Sequence, residues 1–310
     1  MKLAIGVDIG GSHITCAAVD LEKEFLLPQT ITEADVDSNM SADKIFEGWA
    51  KALHICIEKA GDAELAGIGF GMPGPFEYDK GIGRFENNEK FYGLNGVNVA
   101  EGLAAKLNFE KPLPLRFMND ASAFALGEAW QGSAAGYENS VSITLGTGFG
   151  SAFVSNGIPV VDGETVPELG CAWHLPYKEG MADNYFSTRW YIKRYHELTG
   201  ETVSGAKELE MKTASGDNIA KAVFEEYGSN MGEFFSPWLK KFGANILVIG
   251  GNIAKGYKLF GPAFENKLEE NGVDTVIKLS KLKEHAAVIG SARMLDPVFW
   301  EKIKPVLPKM

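Results

Sequence analysis

Asp8 stands two residues ahead of Gly10-Gly11-Ser12, Asn119 and Asp120 form an adjacent amide and carboxylate, and Gly146-Thr147-Gly148-Phe149-Gly150 sets three glycines in five positions. Glycine-rich turns bind anions because successive backbone N–H groups can approach closely where no Cβ stands in the way. A carboxylate beside such a turn repels phosphate directly. It suits a hydrated Mg²⁺ that bridges to phosphate oxygens, since Mg²⁺ takes oxygen ligands and keeps several waters. Asp8 can equally be a turn former at the end of a strand. Asn119-Asp120 offers a general base and a neutral hydrogen-bonding partner to a hydroxyl substrate, or is a helix N-cap. Glu168 and Asp183 are carboxylates in loop-like sequence, where such groups are usually solvated. Gly250-Gly251-Asn252 closes an apolar run and leaves bare backbone for an adenine or ribose, or is an ordinary strand-to-helix turn.

Such residues act only where regular elements hold them. Residues 3–7 (Leu-Ala-Ile-Gly-Val) read as a buried strand, 13–20 as a second and 24–31 as a third, an antiparallel meander hinged on Gly10-Gly11. Ser41-Ala42-Asp43 opens a helix with Ile45, Phe46, Trp49, Leu53 and Ile57 on one face. Strands at 65–70 and 113–118 and helices at 97–107 and 121–130 follow. Strands then recur at 140–145, 151–155 and 158–161, with Asn156-Gly157 as a hairpin signal. Strand, glycine turn, strand, turn, strand thus occurs twice, either as an internal duplication with a phosphate-type turn in each half or as two look-alike hairpins. Helices at 182–198, 216–242 and 257–270, the strand 246–249 and a small-residue helix at 286–296 complete the expected elements.

Length, 310 residues, fits about two domains of roughly 150 residues. With 45% hydrophobic and 23% charged residues the chain is globular, and a net charge of −11 argues against nucleic-acid or anionic-membrane surfaces. Any anionic ligand must then be held by local groups. Cys16, Cys56 and Cys171 are widely spaced and odd in number, so neither a disulfide framework nor a zinc knuckle is written here; a reducing cytoplasm fits. No run resembles a signal segment or a membrane span. No GxxxxGK[ST] occurs, and residues 146–150 precede a strand rather than opening a helix, against a dinucleotide fold. Glycine is in surplus, 36 residues, and twelve fall in the windows 6–11, 67–74, 146–150 and 250–251, which read as turns.

Asp8-Ile9-Gly10-Gly11-Ser12, Gly71-Met72-Pro73-Gly74-Pro75, Asn119-Asp120, Leu145 to Gly150, Glu168-Leu169-Gly170 and Ile249-Gly250-Gly251-Asn252 follow one another in the order and approximate spacing of the ROK family. The chain resembles that family from about residue 3 to 296. Its members are sugar kinases, with related repressors, on the actin-like (ribonuclease H-like) ATPase fold. The resemblance implies an α/β protein of two actin-like lobes with mixed sheets flanked by helices and an active site in the interlobe cleft. Residues 1–118 would form the N-terminal lobe, which 292–310 would complete, and 119–291 the C-terminal lobe. By the same resemblance Asp8, Gly10, Gly11, Ser12, Gly146, Thr147, Gly148, Gly250 and Gly251 would bind ATP, with Asp8 reaching Mg²⁺ through water. Asp120 would be the catalytic base, and Asn119, Asp120, Glu168, Asp183, Gly74 and Asn88 would contact the sugar.

The implied activity is ATP-dependent phosphorylation of a hexose, glucose at O6 first. N-acetylmannosamine, N-acetylglucosamine, mannose and fructose are the alternative substrates, and a sugar-binding protein without catalysis is the alternative of another class. Partners would be the sugar and ATP, with no nucleic acid and no membrane, in a cytoplasmic protein for which a homodimer fits the family. The repressors carry a DNA-binding module ahead of the first strand, where this sequence has only Met1 and Lys2. Three departures stand out. Cys171 replaces the family's sugar-site histidine, with His174 three residues on. The zinc-binding cysteine cluster is missing, so no structural zinc is expected. His13 stands where a lysine is common.

Overall fold

In the computed structural model, which describes residues 2–86 and 90–310, β1 (Lys2–Ile9) and β2 (His13–Asp20) run antiparallel around Gly10-Gly11. The single strand expected over 24–31 is instead β3 (Phe25–Leu26) and β4 (Thr32–Asp35), both on β2. Pro28, which lacks the N–H a ladder needs, opens a 3-10 turn between them. Helix α1 (Ala42–Ala60) buries Ile45, Phe46, Trp49 and Leu53 as expected; Cys56 completes the stripe and Ile57 lies half-buried at its edge. Next come β5 (Glu64–Met72), the short hairpin β6 (Phe76–Glu77) and β7 (Ile82–Gly83), α2 (Val99–Leu107), β8 (Leu115–Asn119) and α3 (Asp120–Trp130).

The second series is β9 (Asn139–Leu145), β10 (Phe149–Ser155), β11 (Ile158–Pro159) and the hairpin β12 (Pro176–Tyr177) with β13 (Gly180–Met181). The helix expected over 182–198 is two, α4 (Ala182–Phe186) and α5 (Thr188–Thr199), because Ser187 is extended at φ −112° and ψ 170°. An additional helix, α6 (Ala206–Ala214), precedes α7 (Asn218–Phe242), β14 (Ile246–Gly250), α8 (Tyr257–Glu270) and β15 (Val276–Leu279). Helix α9 (His285–Arg293) ends earlier than expected. Asp296 caps a new helix, α10 (Pro297–Ile303), accepting from Phe299 N–H at 2.6 Å, and Pro297 fits only at its first turn.

The chain divides into two compact units, Met1–Gly132 with Glu284–Met310, and Ser133–Lys283. The first sheet has the order β3-β2-β1-β5-β8 and the second β11-β10-β9-β14-β15. In each, the first long strand pairs antiparallel with the next in sequence and parallel with the strand that follows a crossover. The repeat seen in the sequence is therefore a repeat of strand order and direction. Among the described residues no helix is long and apolar enough to cross a membrane.

The unit boundaries differ from the expected 118/119 and 291/292 because α3 and α9 pack on one another and on β1 and β5. The helices cross so closely that a methyl on Gly290 would lie 1.8 Å from Ala123 O, and one on Gly127 would lie 2.0 Å from Ala286 O. Ser291 Oγ accepts the Val7 N–H at 3.0 Å, tying α9 to the first strand. Helical propensity alone makes glycine-to-alanine stabilising by about 1 kcal/mol. At Gly290 the sign is expected to reverse, with Gly290→Ala losing about 1–3 kcal/mol through overpacking. Urea denaturation of the variant checks it: an unchanged or higher midpoint would mean that the crossing is not tight.

Candidate functional site

In the first unit the C-terminal ends of β1, β5 and β8 are neighbours: Asp8 pairs with Gly71, and Met72 with Asn119. Open α/β sheets hold their ligands at such strand ends. Asp8 and Asp120 meet there. The Asp8 carboxyl is pushed up to about 7, first by burial and then by the charge of Asp120. Burial also raises Asp120, opposed by hydrogen bonds to its carboxylate that include Ala121 N–H at 2.8 Å. A half-buried carboxylate pair lacks positive charge and offers only oxygen, the donor type that Mg²⁺ takes, so these residues fit that ion.

Asn119 is the N-cap of α3: its Oδ1 accepts from Ser122 N–H at 3.1 Å. Its Nδ2 donates to Tyr78 Oη at 3.3 Å, and Tyr78 Oη donates to Met72 O at 3.1 Å. The two readings of Asn119-Asp120 thus separate, with Asn119 as the cap and Asp120 the carboxylate beside Asp8. Gly74 belongs to the same cluster, since a methyl there would lie 3.2 Å from Tyr78 Oη. Asn88, expected on the sugar, lies outside the described residues. At the Gly10-Gly11 turn, Gly10 N–H donates to His13 O at 2.9 Å and Ser12 O accepts from Val36 N–H at 2.9 Å.

In the second unit the ends of β9 and β14 are neighbours, with Gly250 opposite Thr144. Gly251, at φ +86°, sits so close to β9 that a methyl would lie 2.3 Å from Leu145 O. The expected phosphate turn and adenosine turn are therefore side by side. The 146–150 turn is fixed at several points. Gly146 N–H donates to Gly148 O at 3.0 Å, Thr188 N–H and Oγ1 each donate to Gly146 O at 2.8 Å, and Phe149 N–H donates to Asp183 Oδ1 at 2.8 Å. The Phe149 ring is buried against Phe186, Phe234 and Phe235. Around Gly146 itself a methyl would meet nothing within 4 Å, which leaves room for a ligand atom, and Thr147 is exposed.

Asp183, expected on the sugar, holds the Phe149 N–H with one oxygen and pairs with Arg189 through the other. Glu168 lies exposed in a 3-10 turn, Glu168–Gly170, followed by Cys171, whose Sγ is 3.8 Å from His174 Nδ1. The loop after it is tied by Ala172 N–H to Ser151 Oγ at 2.7 Å and Asp183 N–H to Trp173 O at 3.0 Å. Sequence reasoning missed Tyr78, Thr188 and Arg189. Only Tyr78, three residues after Gly74-Pro75, had a signal in its position; nothing local distinguishes the other two.

The ROK family model matches residues 4–297. A glucokinase of Thermotoga maritima is 27% identical over 323 aligned positions, covering 94% of this chain and 96% of the relative. An N-acetyl-D-glucosamine kinase of Haemophilus influenzae is 24% identical, covering 93% and 98%. Among solved structures, the ROK hexokinase of Thermus thermophilus superposes with a TM-score of 0.78 at 22% identity, over 97% of this chain and 99% of the other. The mixed α/β fold expected from the sequence is the fold of these kinases.

Proposed function

This chain belongs to the ROK family, and from that premise we propose that it is an ATP-dependent hexose kinase acting on glucose at O6. The observation that carries the reading is the Asp120 carboxylate, half-buried beside Asp8 at the strand ends, where burial raises its affinity for a proton. Asn119, fixed by the α3 cap and by Tyr78, orients the sugar hydroxyls together with Gly74. Glu168 and Asn88 are assigned to the sugar by resemblance alone. Asp120 accepts the proton as the sugar oxygen attacks the γ-phosphorus in line, so that the O–P bond forms as the bond to ADP breaks. The Gly146–Gly150 turn and Gly10-Gly11 receive phosphates, and Gly250-Gly251 the adenosine. Asp8 would hold Mg²⁺ through water, and the ion would supply charge neutralisation at the phosphate oxygens. Little covalent chemistry is left for the protein, so positioning and electrostatics supply most of the rate.

A second reading, an N-acetylhexosamine kinase, is supported by the Haemophilus influenzae relative and by Cys171 with His174 at the position of the usual histidine. A thiol and an imidazole offer different hydrogen bonds to a sugar. An ADP-release assay over glucose, N-acetylglucosamine, N-acetylmannosamine, mannose and fructose tests both. Glucose is expected to have the highest kcat/KM. A preference for an N-acetylated sugar would replace the first reading with the second, and turnover on none would overturn the kinase reading.

A further inference from the structure

We propose that Lys90 is the cation that meets the nucleotide phosphates at the first glycine turn. The inference rests on the kinase reading and deepens it. A methyl placed on Gly11 would fall 2.5 Å from Lys90 Nζ, 2.6 Å from its Cδ and 2.8 Å from its Cε, so the lysine stem lies across the Gly11 Cα with the ammonium at the turn. Gly11 therefore seats this side chain as well as exposing backbone. A methyl on Gly10 would lie 2.5 Å from His13 Cε1, so the neighbouring glycine of the turn seats an imidazole.

The next residue anchors Lys90. Phe91 is buried, its N–H donates to Ser38 O at 3.0 Å, and its ring packs on Trp49 and Phe85. The base of the lysine is thereby fixed beside the turn, and a long stem of this kind lets its ammonium be placed at a phosphate. The electrostatics call for such a group. Asp8 and Asp120 stand at the neighbouring strand ends, the whole chain carries −11, and a polyphosphate adds several negative charges more.

The test is direct binding of AMPPNP with Mg²⁺ by titration calorimetry, alongside steady-state kinetics, for wild type, Lys90→Met and Lys90→Arg. Lys90→Met is expected to weaken AMPPNP by about 10- to 100-fold, the worth of a charge-assisted hydrogen bond, with KM for ATP rising in parallel and sugar affinity unchanged. Lys90→Arg is expected to recover most of the loss. Because Lys90 is exposed, the melting temperature should stay at the wild-type value. Unchanged AMPPNP affinity in Lys90→Met would overturn the inference. Tighter binding would overturn it too, since it would make Lys90 an occupant that nucleotide must displace. A wild type that binds AMPPNP and turns over sugar keeps the kinase reading intact in either case; one that does neither removes both.

Discussion

Asp120→Asn is expected to lower kcat by about 10²- to 10⁴-fold, the usual range for losing a general base, while sugar binding remains measurable. The substitution is nearly isosteric. An Asn Oδ1 can still accept the Ala121 N–H that Asp120 takes at 2.8 Å, and the α3 cap, which belongs to Asn119, is untouched. What the amide cannot do is take a proton from the attacking hydroxyl. The loss should therefore fall on kcat with little change in sugar affinity, since the hydroxyl keeps a hydrogen-bonding partner. A second readout follows from the charge: Asp120 helps to raise Asp8, so in the variant the Asp8 carboxyl should titrate lower. Carboxylate-resolved NMR at both positions would follow it. Normal turnover in Asp120→Asn would remove Asp120 from the role of base.

How far the sequence shows this site depends on how local each feature is. Asp8, Asn119, Gly146 and Gly250 were visible because each sits where a strand ends, and strand ends announce themselves by glycine and polar residues after an apolar run. The grouping of Asp8 with Asp120 was not visible from the residues alone, since it depends on β1, β5 and β8 being neighbours in a parallel arrangement. The glycine windows misled in one respect. Gly6 and Gly69 lie inside strands, where methyls would fall 1.9 Å from Val288 O and 2.0 Å from Ser291 O, so they make room for α9 rather than for phosphate. The partners of Asp183 were hidden for a related reason, since Phe149 N–H and Arg189 come from the 146–150 turn and the next helix. Helix breaks at Ser187 and after Arg293 were hidden for a similar reason, because side-chain periodicity continues across a single extended residue or a capped junction.

Asp8→Asn is expected to abolish turnover and, in metal-free protein, to stabilise the fold at alkaline pH. The folded carboxyl titrates at about 7 against an ordinary value of 3.8, so the folded state holds this proton more tightly than the unfolded chain does. Below the lower value both states are protonated and Asp8 has no differential effect. Between the two, the unfolded chain has released the proton and the folded chain has not, so stability falls as pH rises. Above the upper value the cost is fully present, at a ceiling of about 4 kcal/mol from about 1.4 kcal/mol per unit. An asparagine has no proton to lose. Its advantage over wild type should be near zero at pH 4 and grow to several kcal/mol by pH 8, and titrating groups other than Asp120, which is coupled to Asp8, cancel in that difference. Mg²⁺ with nucleotide should stabilise wild type far more than the variant, because a ligand that binds only the folded state adds its binding free energy there. Urea denaturation of both proteins in EDTA at pH 5 and pH 8, repeated with Mg²⁺ and AMPPNP, measures each part. An identical stability gap at the two pH values would show that Asp8 is not strained by burial. A carboxylate kept at such a cost in the free protein is better explained by the ion it holds during phosphoryl transfer than by a turn it could form equally well as asparagine.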